Sequence, residues 1–506
     1  MTPDKQPRAE YRPAGTVDIA TALAPYRGPW SAKLAAHLLR RAGFGGSGQE
    51  IQTAAAAGMT AAVDRLIHFG PDTLPQAPEV DLSYGKMVDK MQRRKALFGT
   101  ELWYLNRLLM TPNPLQEKMA YFWSNHFTSA MGQKGITPAM TIGQLALFRR
   151  YALGNYAQLT HDVSRDAAML HYLDGIQNRS QHPNENYARE LMELFTMGVG
   201  NYSEDDVRES ARAFTGFTVN RRTGEFRFVP QLHDDGSKTF LGHTGNFNGD
   251  QVVDIIMQQP ATGRFMARKF LRAFVYDDPE PALVDAVAGA LRSSGYDVGP
   301  LMNTLLRSNV FYSDRAYRAI VKSPLEITIG ALKTLGATTV GIRTLAALNT
   351  MGQVPLRPPN VAGWPGGALW MNQGVFLARL NYLHQLVMFK SPGTGGDPAE
   401  MTAMDMPAMK GAGRAMKGML GDPAGQLAEP STWVAGASVN DPRSVAQHVL
   451  QTVVQGDATA EQQTNILDFL STDGVGNHVT LSRENFEEKV RGAMSLAMAL
   501  PSYQLA

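Results

Sequence analysis

Glu185, Arg189, Glu190 and Glu193 crowd one short stretch, NENYARELMELF (184–195). At 100° per residue the stretch splits into two arcs. Tyr187, Ala188, Leu191, Met192, Leu194 and Phe195 form the apolar one, and Glu185, Asn186, Arg189, Glu190 and Glu193 form the polar one. Carboxylates at helical spacing repel one another and raise each other's pKa unless a cation intervenes. General acids and metal cradles are built that way. One glutamate would act as acid or base, and Arg189 would orient a carboxylate or stabilise developing negative charge. The same pattern also fits a surface helix with solvated charges. Two features favour chemistry. The arc has three glutamates to one arginine and no lysine, and Asn186 sits where helix propensity disfavours it.

A second proton carrier would come from His126 or His233. His126 ends the aromatic block FWSNHF beside Asn125. A lone histidine on an apolar helix end also reads as a satisfied core residue. His233 opens HDDGSK, with Asp234 and Lys238 close behind, and Gly236 permits a simple Asx turn there. Substrate contacts are expected from Asn125, Asn186, Asp234 and Lys238. They are also expected from Trp364 and Trp370, in the loop RPPNVAGWPGGALWMN (357–372), whose rings would stack on a sugar or peptide. The competing reading makes that loop a core plug. No HExxH, calcium-loop, phosphate-loop or nucleophile-elbow motif is present. A divalent metal would have to gather distant ligands such as His126, Glu190 and His233, so no metal residues are assigned. Met401, Met404, Met406 and Met409 read as a soft binding segment, with a Cu(I) thioether cluster as the alternative.

The elements that must position these groups are predominantly helical, with one short β-hairpin near 217–230. Helices are expected from Ser31, over 48–69 with a hinge at Gly58, over Met87–Met110 and over Leu115–Phe127. Residues 138–172 follow, with a break at Gly154 and Asn155. Asn184 is expected to cap the first helix of a hairpin, and Ser203 the second, with Asp206 completing a capping box. Arg208 or Arg212 would then approach the first helix's carboxylates. Further helices are expected after Gly249, Pro281, Pro300, Pro324 and Val340, then up to about Phe389, over Val445–Gln455 and Ala460–Leu470, and from Arg483 to Leu500. The domain reading is a poorly ordered segment 1–29 and a helical body 30–390. A glycine-, proline- and methionine-rich flexible insertion, 391–440, and C-terminal helices, 441–506, follow.

Composition bounds the partners. At 506 residues, 44% hydrophobic and 19% charged, the chain can bury a large core of two or three lobes. A net charge of +2 gives no electrostatic case for nucleic acid. There is no cysteine, which removes disulfides and thiolate chemistry. No apolar run approaches the roughly 20 residues of a membrane span. Residues 1–20 lack the apolar core of a signal peptide. The expected location is therefore cytoplasmic, with export alongside a partner or from an upstream start left open.

Several blocks in order resemble the bacterial domain-of-unknown-function family 1800. They are LLRRAGFGG (38–46), FWSNHF (122–127), NENYARELMELFTMGVGNYSEDDV (184–207), ARAFTGF (211–217), HDDGSKTFLG (233–242), VKSPLE (321–326) and PPNVAGWPGG (358–367) with Trp370. The resemblance covers roughly residues 31–390 and the C-terminal helix. It implies a large, mostly helical bacterial protein, often encoded beside a family of exported proteins, one of which would be the protein partner. It assigns no reaction. Two functions are therefore carried forward. One is a hydrolase or lyase acting on a polymer or modified peptide, and the other is a non-enzymatic assembly partner of the exported neighbour.

Overall fold

The computed structural model describes residues 17–78, 90–220, 223–388, 427–473 and 475–506. The first helices are α1 (Ala32–Arg41), α2 (Gly48–Ala57), α3 (Met59–Ile67), α4 (Lys90–Met110), α5 (Pro114–His126), α6 (Pro138–Arg150), α7 (Tyr156–Ser164) and α8 (Ala167–Tyr172). α9 (Asn186–Glu190) runs into a π turn, Leu191–Thr196, and α10 (Glu204–Ala213) returns beside it. After the strands come α11 (Gly249–Gln258), α12 (Pro260–Phe274), α13 (Pro281–Ser293), α14 (Val298–Leu305), α15 (Pro324–Thr334), α16 (Ile342–Thr350) and α17 (Gln373–Met388). The last helices are Pro430–Trp433, Pro442–Val454, Ala460–Ser471, Phe486–Ala499 and Pro501–Gln504. The fold is mainly α, and no described helix is long and apolar enough to cross a membrane.

The boundaries follow local chemistry. Ser203 accepts from the Asp206 N–H while Asp206 accepts from the Ser203 N–H, the capping box expected there. Gly58 has φ 83°, a conformation glycine adopts without strain, and separates α2 from α3. The expected strands β1 (Phe217–Val219) and β2 (Phe226–Phe228) pair antiparallel, with Thr218 opposite Arg227. A second antiparallel pair, β3 (Lys238–Phe240) with β4 (His243–Gly245), lies in a stretch whose glycines read as irregular.

Two apolar cores carry the architecture. One gathers Leu38, Trp123, Phe127, Tyr156, Phe195 and Phe270, among others. The other includes Leu105, Leu325, Leu332, Leu348, Val449 and Met494. The expected disorder at the start is corrected over residues 17–29. Ala22 is buried, the Tyr26 N–H donates to Arg307 O, and the Asn309 N–H donates to Ala24 O. A few apolar anchors hold a proline-punctuated segment that looked too polar to order. Of the expected insertion, 391–426 and its methionines lie outside the described residues. Residues 427–440 include Trp433, buried and donating through Nε1 to Leu335 O at 3.0 Å.

Candidate functional site

The hairpin's first helix starts at Asn186 with Glu185, not the expected Asn184, as its N-cap; Asn184 Oδ1 accepts from the Asn186 N–H at 3.0 Å just ahead of it. That helix then loosens. The Met197 and Gly198 N–H groups both go back to Met192 O, and Thr196 Oγ1 donates to Leu191 O. Single π turns inside α-helices mark functional sites frequently. Here the Leu194 and Phe195 carbonyls are met by other helices. Phe195 O accepts from the Tyr156 hydroxyl of α7, and Leu194 O accepts from Lys269 Nζ of α12 at 3.2 Å.

Lys269 also lies 3.0 Å from His126 Nδ1. His126 ends α5, 3% exposed, with Phe127 edge-on at 4.5 Å and Phe122 parallel at 6.2 Å. Burial holds the imidazole well below its ordinary pKa of 6.5 and the Lys269 ammonium adds to this, while the Phe195 carbonyl opposes them. The ring is therefore neutral. Its Nδ1 accepts from the ammonium, and Nε2 is buried with no hydrogen-bond partner. Lys269 makes no ion pair with a carboxylate among the described residues. Burial, with Arg272 adding to it, pulls its pKa from 10.5 to about 8. A neutral imidazole and a weakly basic amine thus meet at the end of a π turn. Leu194 and Lys269 are both half-buried, so the cluster lies just under the surface.

The remaining expected residues have separate partners. Arg189 reaches Glu204 Oε1 and Oε2 at 2.8 Å each and Glu185 Oε2 at 3.0 Å. Glu193 accepts from the Tyr202 hydroxyl at 3.0 Å. Glu190 is half-buried, and its pKa is raised by burial and then by Glu193. Asn186 donates to Asp174 at 3.1 Å. His233 Nδ1 donates to Thr215 O at 2.8 Å. Asp234 accepts from Arg212 Nε at 2.7 Å, which lowers its pKa to about 2. The buried Lys238 donates to Asp234 O at 2.6 Å, Gly236 O at 2.9 Å and Asn246 Oδ1 at 3.2 Å. The expected approach of Arg208 or Arg212 to the first helix is corrected. Arg208 pairs with Asp205 and Arg212 with Glu209 and Asp234, while Arg189 reaches across from the first helix to Glu204. The reason is reach, since Arg208 and Arg212 find acidic partners three residues back on their own helix.

Trp364 and Trp370 are 8% and 4% exposed, and Trp364 stacks on Tyr121 at 6.5 Å. Their rings are taken up by the protein, as a core plug requires. Among the described residues no three His, Asp or Glu side chains are gathered as metal ligands. The sequence reading missed Lys269 and Tyr156. Lys269 lies in RFMARKFLR (264–272), which reads as an ordinary basic helix face.

Searches among curated proteins and solved structures return no match to this chain. A family model described as a protein of unknown function, DUF1800, matches residues 37–505, and with nearly its whole length covered the chain belongs to that family.

Proposed function

We propose that the chain is an enzyme of the lyase or hydrolase class, with Lys269 as its proton-transfer group. The observation that carries this reading is the 3.0 Å contact between Lys269 Nζ and the neutral His126. An ordinary lysine holds its proton at neutral pH and is a poor base. A lysine near pKa 8 is unprotonated in about a tenth of molecules at pH 7, a fraction a general base can use. His126 accepts a hydrogen bond from the ammonium form and positions the amine. Base-assisted elimination uses what is gathered here, a basic amine beside a neutral imidazole. The substrate class is a polymer or modified peptide.

Lys269→Arg tests this. It keeps a cation and a donor for Leu194 O, but a guanidinium releases no proton. The full chain and the variant would be incubated with acidic polysaccharides and modified peptides. New C=C absorbance would report elimination, and new reducing or amine ends would report hydrolysis. The expected outcome is turnover by the wild type and a loss of at least about 100-fold in kcat/KM in the variant. Equal activity in the variant, or no turnover by the wild type across the panel, would end the enzyme reading.

The second reading is an assembly partner of the exported neighbour. It is favoured by the hairpin's ion pairing, since Arg189 ties together Glu185 and Glu204. Co-purification with that neighbour tests it.

A further inference from the structure

α12 carries Arg264, Arg268, Lys269 and Arg272. At 100° per residue they fall within an arc of about 140°, in the order Arg264, Arg268, Arg272, Lys269. The two edges of that arc are occupied. Arg264 donates from Nε and Nη2 to the Asp285 carboxylate of α13 at 2.5 and 2.8 Å. Lys269 is turned the other way, to His126 and to Leu194 O of the π turn. Arg268 and Arg272 stand between these edges. Both are exposed, and neither makes an ion pair or a hydrogen bond among the described residues.

An arginine stripe on a surface helix is ordinary by itself. This one borders the Lys269 cluster. Lys269 and Arg272 are i,i+3 neighbours, roughly 5–6 Å apart at Cβ. The Arg272 charge adds to the burial that loosens the Lys269 proton. Phe265, half-buried, flanks the same amine, with its ring centre 5.0 Å from Nζ. His126 Nε2 in that cluster is buried without a partner.

The carboxylates on the neighbouring elements are engaged. Asp285 feels Arg268 as well, but Arg264 holds both its oxygens. Glu193 of the π turn accepts from the Tyr202 hydroxyl. Two guanidinium groups are left for an anion from outside, about 6 Å apart along the helix axis. That is on the scale of one sugar in an extended chain.

We propose that this face of α12 binds a polyuronate, a polymer whose every sugar carries a carboxylate, with Arg272 and Arg268 taking the carboxylates of successive sugars. The inference rests on the reading of Lys269 as a base and names its substrate class. In a uronate a C–H lies beside the carboxylate and a glycosidic oxygen lies on the next ring carbon. Lys269 Nζ takes that hydrogen as a proton, the freed electron pair becomes a C=C bond, and the C–O bond to the leaving sugar breaks. The departing oxygen takes a proton from water, and Lys269 returns its own to solvent. Negative charge builds on the carboxylate during this step, and a guanidinium beside the base stabilises it. A modified peptide charged at a single position would engage only one of the two arginines.

The test uses the full chain at matched ionic strength with two polyuronates, polygalacturonate and alginate. Methyl-esterified polygalacturonate, dextran sulfate and polyglutamate are the controls. Calorimetry reads binding, and C=C absorbance reads elimination. At least one polyuronate is expected to bind, the methyl ester not at all, and dextran sulfate and polyglutamate more weakly. Arg268→Gln combined with Arg272→Gln should keep the Tm and weaken polyuronate binding at least about tenfold. Lys269→Arg should bind polyuronate like the wild type and eliminate nothing. Binding without elimination by the wild type would uphold the polymer face and end the role of Lys269 as base. Turnover of another substrate without polyuronate binding would do the reverse. The inference is overturned if neither polyuronate binds, if any control binds as tightly, or if the double variant binds like the wild type. Should the double variant fail to fold, the two single variants decide, and unchanged binding in both overturns it.

Discussion

Asn125 Oδ1 accepts a hydrogen bond from the backbone N–H of Trp364 at 2.7 Å. The contact ties the end of α5 to the proline- and glycine-rich loop 357–372. Gly363, just before Trp364, has φ 85°, and a Cβ there would overlap Asn125 Oδ1. Asn125 is thus a loop anchor, and the loop in turn seats Trp364 against Tyr121. Asn125→Leu leaves the Trp364 N–H without its acceptor and should destabilise the protein by about 1–3 kcal/mol. Asn125→Asp keeps an acceptor and should lose less. Gly363→Ala should cost at least about 1–2 kcal/mol from the left-handed backbone alone. Urea unfolding midpoints of the three variants check the order. A harmless Asn125→Leu would remove the anchoring role.

The Lys269 amine predicts a specific pH dependence. Its folded pKa of about 8 lies below the ordinary 10.5. Between those values the unfolded chain binds more protons than the folded one, so stability contributed by this group rises with pH. The change across the window is of order 3 kcal/mol. Other lysines titrate there too, so the quantity to measure is the difference between wild type and Lys269→Met. Wild type should gain on the variant as pH rises from 8 towards 10.5. A flat difference would mean that the amine titrates as an exposed lysine does.

The π turn should depend on its outside donors. Tyr156→Phe removes the hydroxyl that donates to Phe195 O, and Tyr156 is fully buried. The stranded carbonyl should cost about 1–3 kcal/mol. Thr196→Val removes the donor to Leu191 O within the same turn. Because both act on one turn, the double variant should lose less or more than the two single losses combined. Strict additivity in thermal unfolding would show that the two bonds hold separate structures.

Much of the helical frame was legible because its signals are local. Ser203 with Asp206, Gly58 and the alternation around Phe217 and Phe226 each act within a few residues. The β3–β4 pair was not legible, since Gly242 and Gly245 mask a pairing that places only Lys238 and Phe240 inward. The candidate site was half legible. His126 could be suspected from its aromatic block. Its partner Lys269 is 143 residues away, and the hairpin carbonyl that Lys269 reaches is 75 residues from it. No spacing rule reaches so far. Of the carboxylates expected to crowd, Glu193 acts on Glu190, while cations and hydroxyls elsewhere in the fold decide what the others do.

Glu190 is the carboxylate for which crowding still matters. Burial raises its pKa, Glu193 adds to the rise, and Arg189 opposes it. Arg189 itself is turned towards Glu185 and Glu204. A carboxyl whose folded pKa is raised contributes most below its unfolded pKa, and that contribution is lost as pH climbs through the folded value. At neutral pH the charged form is therefore a cost to the fold. Glu190→Gln removes the charge and keeps the shape, so the variant should be more stable than wild type at pH 7. The advantage should shrink steadily as pH falls through the folded pKa and vanish only well below the ordinary value of 4.5, where the wild-type carboxyl is protonated in both states. Urea midpoints across that range measure it. A variant less stable at pH 7 would mean that the Glu190 carboxylate has a favourable partner in solution, which would hold it ionised and remove it as a candidate catalytic acid.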